Sequence, residues 1–366
     1  MAESSIYRFV FAGGGTGGHL YPALAVAEKI RELKPEAEIL FVGAKNRIEE
    51  RVVPQYGFKF KSIWISGFSR KMTLSNILFP LKVVVSYLQS LYINIVFKPR
   101  VAVGAGAYVA GPVISSASTL GAKIILLEQN SYPGITNRML EKKATQIYVT
   151  FEDSKKYFRE QNKLVLTGNP VRPKLQLLNK AEVLKEYNLN PDKKTLLILG
   201  GSGGAKSINA SVAKIIEKLT AQNIQLIWQT GKNYYEDYKK YDSDSVKVMA
   251  FADDMAKIYS SADLLIARGG ASTIAEISLL GLPAIIVPSP NVAANHQYKN
   301  AESLFKENAA ELIADDKMDD ELLDKINLLI NDSEKLDELS NNIKKFSKPD
   351  AAKVVAEKAI RLAEEL

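Results

Sequence analysis

Two glycine loops, each set between a short apolar run and a stretch with helical spacing, restrict this chain more than any other feature. The first, Gly13-Gly14-Gly15-Thr16-Gly17-Gly18-His19, follows the strand candidate Tyr7–Ala12. It precedes a helix expected from about Leu20 to Leu33, where Leu20, Leu24, Ala27 and Arg31 recur at helical spacing. The second, Gly200-Gly201-Ser202-Gly203-Gly204-Ala205-Lys206, lies between Thr195–Leu199 and a helix expected from about Ala205 to Leu219. A strand running through glycines into a helix opens a parallel α/β unit, so the pattern predicts two of them. Further strand candidates alternate with helices: Glu38–Val42, Val101–Val103, Lys123–Leu127, Gln146–Thr150 and Lys163–Leu166 in the first half, and Ile224–Gln229, Val246–Ala250, Leu264–Ala267 and Ala284–Val287 in the second. Between the halves, Gly168-Asn169-Pro170-Val171-Arg172-Pro173 is the best linker candidate, and the last fifty residues read as charged helix. A length of 366 residues suits two cores, at roughly 100–200 residues each.

Composition removes several kinds of chemistry. There are no cysteines, which excludes disulfides, thiol catalysis and Cys-ligated metals. Only His19 and His296 can supply imidazole chemistry. A net charge of +7 is modest for this length and suits a local basic patch, not a surface that coats nucleic acid. The chain opens without a secretory signal pattern. Its longest uncharged run, Val83 to Phe97, is 15 residues, whereas a spanning helix needs about 20, so no membrane crossing is expected.

The first loop fits G-x-G-x-x-G in the right context, where glycines let backbone N–H groups approach an anion at a helix start. A dinucleotide site also wants an acid at the end of the second strand, and here that strand runs into Gly43-Ala44-Lys45, which weakens a nicotinamide or flavin reading. The second loop also fits the G-x-S-x-G nucleophile elbow, with His296 as the one later histidine, but that leaves the first loop idle. A third constellation is Arg268-Gly269-Gly270-Ala271-Ser272-Thr273-Ile274-Ala275-Glu276. Thr273 and Glu276 have capping-box spacing, which explains those two residues and not the Arg-Gly-Gly approach. Asp242-Ser243-Asp244 is read as a solvated turn, with no metal. Between Arg70 and Arg100, most of Val83–Val96 is expected in the core, whereas Met72–Lys82 mixes cations with apolar residues. Arg70, Lys71, Leu78, Phe79, Leu81 and Lys82 thus form a candidate interfacial patch for an anionic membrane.

The segments GGGTGGHLYPALAVAEKI, GAGAYVAGP, LEQNSYPGITN, TGNPVR, GGSGGAKSIN, FADDMAKIYSSADLLIARGGASTIAEISLLGLPAIIVPSPN and NHQYKNA, in that order, resemble the MurG family of N-acetylglucosaminyltransferases over essentially the whole chain. The resemblance implies an α/β fold of two Rossmann-like doubly wound domains facing a cleft, the GT-B glycosyltransferase fold. It implies an acceptor and membrane-binding domain at 1–168, a UDP-sugar domain at 169–345, and a last helix at 346–366 crossing back to the first. It implies inverting, metal-independent and cofactor-free transfer from UDP-N-acetylglucosamine to the 4-hydroxyl of the muramoyl sugar of lipid I, giving lipid II in peptidoglycan synthesis. Location would be peripheral, on the cytoplasmic face of the bacterial plasma membrane, with wall-synthesis proteins as possible partners and no nucleic acid. Donor contacts implied by matching positions are Thr16, Gly17, Gly18, Asn130, Arg172, Ser202, Ala252, Ala271, Ser272, Thr273, Ile274, Ala275, Glu276 and Gln297, with Glu276 accepting from the ribose hydroxyls. The chain departs from the family in Gly203, in Arg268-Gly269-Gly270, and in an alanine of Gly104-Ala105-Gly106-Ala107-Tyr108 where glycine is common. His19 is the candidate base: it follows the glycine loop, the neutral form of an imidazole suits accepting a proton from a sugar hydroxyl, and no cysteine competes for the role. The rival readings are another UDP-sugar-dependent lipid glycosyltransferase, a UDP-sugar epimerase, and a non-catalytic membrane-associated nucleotide-binding protein.

Overall fold

The computed structural model describes residues 6–67, 78–171, 175–201, 203–292 and 295–365. They form two units, Met1–Pro173 with Lys348–Leu366, and Lys174–Ser347. Each is built on one parallel sheet with helices on both faces.

The first unit runs β1 (Arg8–Ala12), α1 (Gly17–Leu33), β2 (Glu38–Ala44), α2 (Ile48–Gln55), β3 (Lys59–Ile63), then the Phe79–Phe97 helix, β4 (Val101–Gly104), the Ala107–Thr119 helix, β5 (Lys123–Glu128), the Ile135–Leu140 helix, β6 (Gln146–Val149) and β7 (Leu164–Leu166). The sheet order is β3-β2-β1-β4-β5-β6-β7. Its central strands β1 and β4 are buried on both faces, hence their nearly unbroken apolar sequences. The chain's final helix, Ala351–Glu364, packs an alanine-rich face, Ala356, Ala359 and Ala363, into the same core as Leu20, Leu24 and Ile30 of α1. Helix α1 begins at Gly17, three residues before its expected start, so His19 lies in its first turn.

The second unit carries β8 (Thr195–Leu199), β9 (Gln225–Gln229), β10 (Val246–Met249), β11 (Leu264–Ala267), β12 (Ala284–Ile286) and β13 (Glu311–Leu312), ordered β10-β9-β8-β11-β12-β13. Its core joins Ile198, Trp228 and Ile266 to Met318, Leu322 and Ile326 of the Met318–Ile330 helix. The strands absent from the sequence reading, β3 and β13, are edge strands. Lysine-rich KFKSI and the two-residue β13 lack the apolar run that marks a central strand. Asp242 accepts from Val248 N–H, so the D-S-D segment is a turn.

One expectation fails. The Phe79–Phe97 helix does not sit with Val83–Val96 in the core: it buries Ser86, Ser90, Ile93 and Asn94. Leu81, Val84, Leu88, Tyr92, Ile95 and Val96 are each at least half exposed. The small residues at i, i+4 spacing bring its backbone close to the Ala107–Thr119 helix, where Asn94 Nδ2 donates to Val113 O and Ser116 Oγ. The helix is thus packed by its polar stripe and turns its apolar stripe outward.

The second glycine loop depends on a close backbone approach: Gly231 has φ +88°, and a Cβ there would lie 2.1 Å from Gly204 Cα. Gly121 has φ +89° but open space around it. Gly121→Ala should therefore lose about 1–2 kcal/mol from backbone strain alone. Gly231→Ala should lose about 1–3 kcal/mol more through overpacking. Denaturant titration of both reads the difference; equal losses would show that the approach is dispensable.

Candidate active site

In each sheet the strand order reverses once, and in doubly wound proteins ligands bind beyond the carboxyl ends of the strands at that point. In the first unit the reversal lies between β1 and β4, so the glycine loop after β1 meets Ala105 and Gly106 after β4. The meeting is tight: a Cβ on Gly13 would lie 2.8 Å from Ala105 Cβ. Gly106, at φ +88°, would bring one to 3.0 Å from His19 Nδ1. Ala107 also has positive φ, 62°, a left-handed conformation that glycine would adopt with less strain.

His19 is half-buried at this crossing. Its Nδ1 lies 2.9 Å from Ala105 O and 3.0 Å from Gln129 Oε1. Two oxygens facing one ring nitrogen place the proton on Nδ1, leaving Nε2 as the proton-accepting atom. Glu128, next to Gln129, is fully enclosed: Oε1 accepts from Asn130 N–H, and Oε2 from Gly134 N–H and Asn137 Nδ2. Burial pushes its carboxyl above the usual range, against those three donors. Its bonds fold the 129–134 loop, and they leave its oxygens engaged inward.

The loop's anion-binding geometry is partly spent within the protein. Glu49, buried on α2, accepts from Gly15 N–H (2.9 Å) and from Ala44 N–H at the end of β2 (3.0 Å). Gly14 leaves room for it, since a Cβ there would lie 2.4 Å from Glu49 Cδ. Thr16 and Gly18 are exposed and Gly17 is half-exposed at the start of α1, and Asn130 is half-buried after β5. Tyr108 lies against Gly15 and Gly67; burial pushes its phenol upward, and the Arg47 charge opposes this.

In the second unit the reversal lies between β8 and β11, which joins the second glycine loop to Arg268-Gly269-Gly270. Arg268 donates from Nη1 to Val287 O, Pro288 O and Asp315, and from Nη2 to Ser207 Oγ (2.7 Å). One guanidinium therefore ties the segment after β11 to that after β12, to the helix following the glycine loop, and to Asp315. The Ala271–Leu280 helix starts at Ala271 with Gly270 at its N-cap. Thr273 is already inside it, so the capping box suggested by Thr273 and Glu276 is not formed. Glu276 is instead buried and accepts from Tyr259 Oη at 2.8 Å. Ser272, Thr273 and Ala275 are half-exposed, and Ala271 and Ile274 are buried. Gln297 Oε1 accepts from Ser289 N–H, and Asn300 Nδ2 donates to Gly269 O, which draws the His296–Lys306 helix against the Gly269 turn. Ala252 is buried beyond β10. Arg172, Ser202, Arg70 and Lys71 lie outside the described residues.

The structure thus gathers His19 with Thr16–Gly18 in one unit, and Ala271–Glu276 with Gln297 in the other. Sequence reasoning passed over Glu49, Gln129, Asn137 and Tyr259 as site-building residues, and it marked Arg268 only as part of the approach to a helix start. Their signal was available only as polar residues inside apolar or glycine-rich stretches, such as Gln129 in LEQN and Tyr259 in KIYSSAD.

Comparisons with known proteins agree with this arrangement. Residues 9–149 match the glycosyltransferase family 28 N-terminal domain and residues 195–355 its C-terminal domain. A relative from Flavobacterium psychrophilum, named UDP-N-acetylglucosamine–N-acetylmuramyl-(pentapeptide) pyrophosphoryl-undecaprenol N-acetylglucosamine transferase, is 44% identical over 98% of each chain. One of the same name from Cytophaga hutchinsonii is 42% identical over 99% of this chain and 98% of its own. The crystal structure of Acinetobacter baumannii MurG superposes with a TM-score of 0.75 and 26% identity, covering 97% of this chain and 99% of that one.

Because Arg268 offers a planar fork to four acceptors, lysine cannot replace it. Arg268→Lys should lower stability by about 1–3 kcal/mol, since Asp315 and two carbonyls lose donors in a mostly buried site. Asp315→Asn, which keeps an acceptor, should cost less. Thermal unfolding of the two variants checks this order.

Proposed function

The chain belongs to glycosyltransferase family 28, among the MurG enzymes, and on that premise we propose that it moves N-acetylglucosamine from UDP-N-acetylglucosamine to the 4-hydroxyl of the muramoyl sugar of lipid I, forming lipid II for peptidoglycan. The observation that carries this reading is the identity with transferases of that name over nearly the whole chain. The epimerase and binding-protein readings are not favoured by it.

His19 is the general base. Its Nε2 takes the proton of the acceptor hydroxyl as that oxygen bonds the anomeric carbon; the bond to the diphosphate oxygen breaks, and UDP leaves with the electron pair. The geometry supports this, because Nδ1 is held by Ala105 and Gln129 and cannot serve as the acceptor atom. The second unit takes the donor. The start of the Ala271–Leu280 helix presents N–H groups to the diphosphate, and Ala252 and Gln297 are further donor contacts of this unit; Arg172 and Ser202 join them only as matching family positions, outside the described residues. Glu276, buried and already accepting from Tyr259 Oη, accepts from the ribose as well, a role supported by its matching family position. Thr16, Gly17 and Gly18 at the start of α1 are donor contacts by their matching family positions, and the neighbouring Gly15 amide is already engaged by Glu49.

The membrane surface is met through the Phe79–Phe97 helix. It is long and apolar enough to cross a membrane, yet Asn94 holds it against its neighbour, and its outward apolar stripe suits in-plane docking. Leu78 and Leu81 belong to this stripe, with half-buried Phe79 and Lys82 beside it. This stripe supports a peripheral position on the cytoplasmic face of the plasma membrane, beside an acceptor carried in the bilayer.

Three measurements test the reading. Transfer from several UDP-sugars to a lipid I analogue should be selective for UDP-N-acetylglucosamine; His19→Ala should lower kcat by about 10²–10⁴-fold, with UDP affinity unchanged. Glu276→Ala should weaken UDP binding by calorimetry, a charge-assisted bond being worth about 1.5–3 kcal/mol; unchanged affinity would make Glu276 structural. Leu81→Glu combined with Leu88→Glu should abolish sedimentation with anionic vesicles while leaving the fold intact, because both residues are exposed. Sedimentation equal to the parent protein would remove this helix from membrane binding.

A further inference from the structure

His19 is set apart from a surface histidine by what lies behind its ring. Nδ1 faces two oxygens, the Ala105 carbonyl and Gln129 Oε1. Gln129 is buried, and its Nε2 donates to Leu127 O at 3.3 Å. A flipped amide would set Oε1 against that carbonyl, so Leu127 fixes which end of Gln129 the imidazole meets. Leu127 O is itself held by Asn137 Nδ2 at 2.9 Å. The chain Asn137–Leu127–Gln129–His19 is thus built from the inside of the unit outward to the ring.

Resting on the reading of His19 as base, we infer that Gln129 is a positioning residue: with the Ala105 carbonyl it fixes the His19 tautomer, and as a neutral partner it sets the pH range in which Nε2 is free to take the acceptor proton. In serine hydrolases the corresponding position behind the histidine is filled by a carboxylate, which strongly stabilises the imidazolium. A base that must start unprotonated near neutral pH is better served by an amide oxygen, which orients the ring and stabilises the positive charge only moderately. The proton leaves the sugar hydroxyl for Nε2 while the oxygen's electron pair forms the new glycosidic bond, and the imidazolium releases it to solvent after UDP departs.

The charged and titratable groups around this ring are few among the described residues. Glu128 at the end of β5 interacts electrostatically with it but is engaged by Asn130, Gly134 and Asn137. Glu49 of α2 lies behind Gly14 and Gly15, and Tyr108 of the Ala107–Thr119 helix lies against Gly15. Gln129 is the side chain that bonds the ring directly, so replacing it isolates its effect from theirs.

The test uses the full chain with ¹⁵N-labelled histidine, the two imidazoles being told apart with His296→Gln. Wild type should show Nδ1 protonated and Nε2 bare above the imidazole pKa; the opposite tautomer overturns the inference. Gln129→Glu should raise the His19 pKa by about one unit or more and move the acid limb of the kcat profile up with it. Gln129→Leu should lower that pKa and reduce kcat about tenfold with the donor KM unchanged. If the ring titrates as in wild type in both variants, Gln129 only packs and the inference fails. Full activity in His19→Ala would instead refute the base reading, a result distinct from any change in the tautomer or in the titration.

Discussion

Burying the Glu49 carboxylate between Gly15 and the end of β2 would be costly without donors, and the two backbone N–H groups it meets are themselves orphans of a glycine loop and a strand end. Each side solves the other's problem. The bond fixes the loop against α2, which sets where α1 begins and so where His19 stands relative to Ala105. A positively charged or apolar residue at 49 would leave both amides unsatisfied, and the reacting end of the first unit would lose its reference point.

The second unit repeats the strand–glycine–helix signature and settles it with the opposite charge. There the Arg268 guanidinium draws together Val287, Pro288, Ser207 and Asp315, and the Gly270 N-cap receives no side-chain bond of its own. A loop filled by an internal carboxylate and a helix start beside a guanidinium differ sharply in their appetite for anions. That difference supports the proposal that the nucleoside diphosphate sits on the second unit and that the base, His19, belongs to the first.

The Phe79–Phe97 helix follows the same economy. Ser86, Ser90 and Asn94 let it approach a neighbouring helix through small and hydrogen-bonded contacts, so burial does not consume its apolar residues. An exposed apolar stripe of this extent calls for a partner on the surface of a folded protein. The proposed docking on a bilayer interface would meet that need without any change in the helix's own packing.

By itself the sequence determined the two parallel units, the central strands and both glycine loops, because buried strands leave unbroken apolar runs and a tight strand-to-helix turn leaves glycines. It also confined imidazole chemistry to His19 and His296, by composition alone. The edge strands β3 and β13 were not legible, since lysine-rich KFKSI and a two-residue strand carry no apolar run, whereas the edge strands β7 and β10 are mostly apolar and were read. Neither was the outward stripe of the Phe79–Phe97 helix: its composition reads as core, and only the Asn94 contacts decide which side faces in. The roles of Glu49, Gln129, Tyr259 and Arg268 were likewise decided in three dimensions. A buried polar residue is recognised by the donor or acceptor it meets, and those partners lie 34, 110, 17 and 61 positions away along the chain.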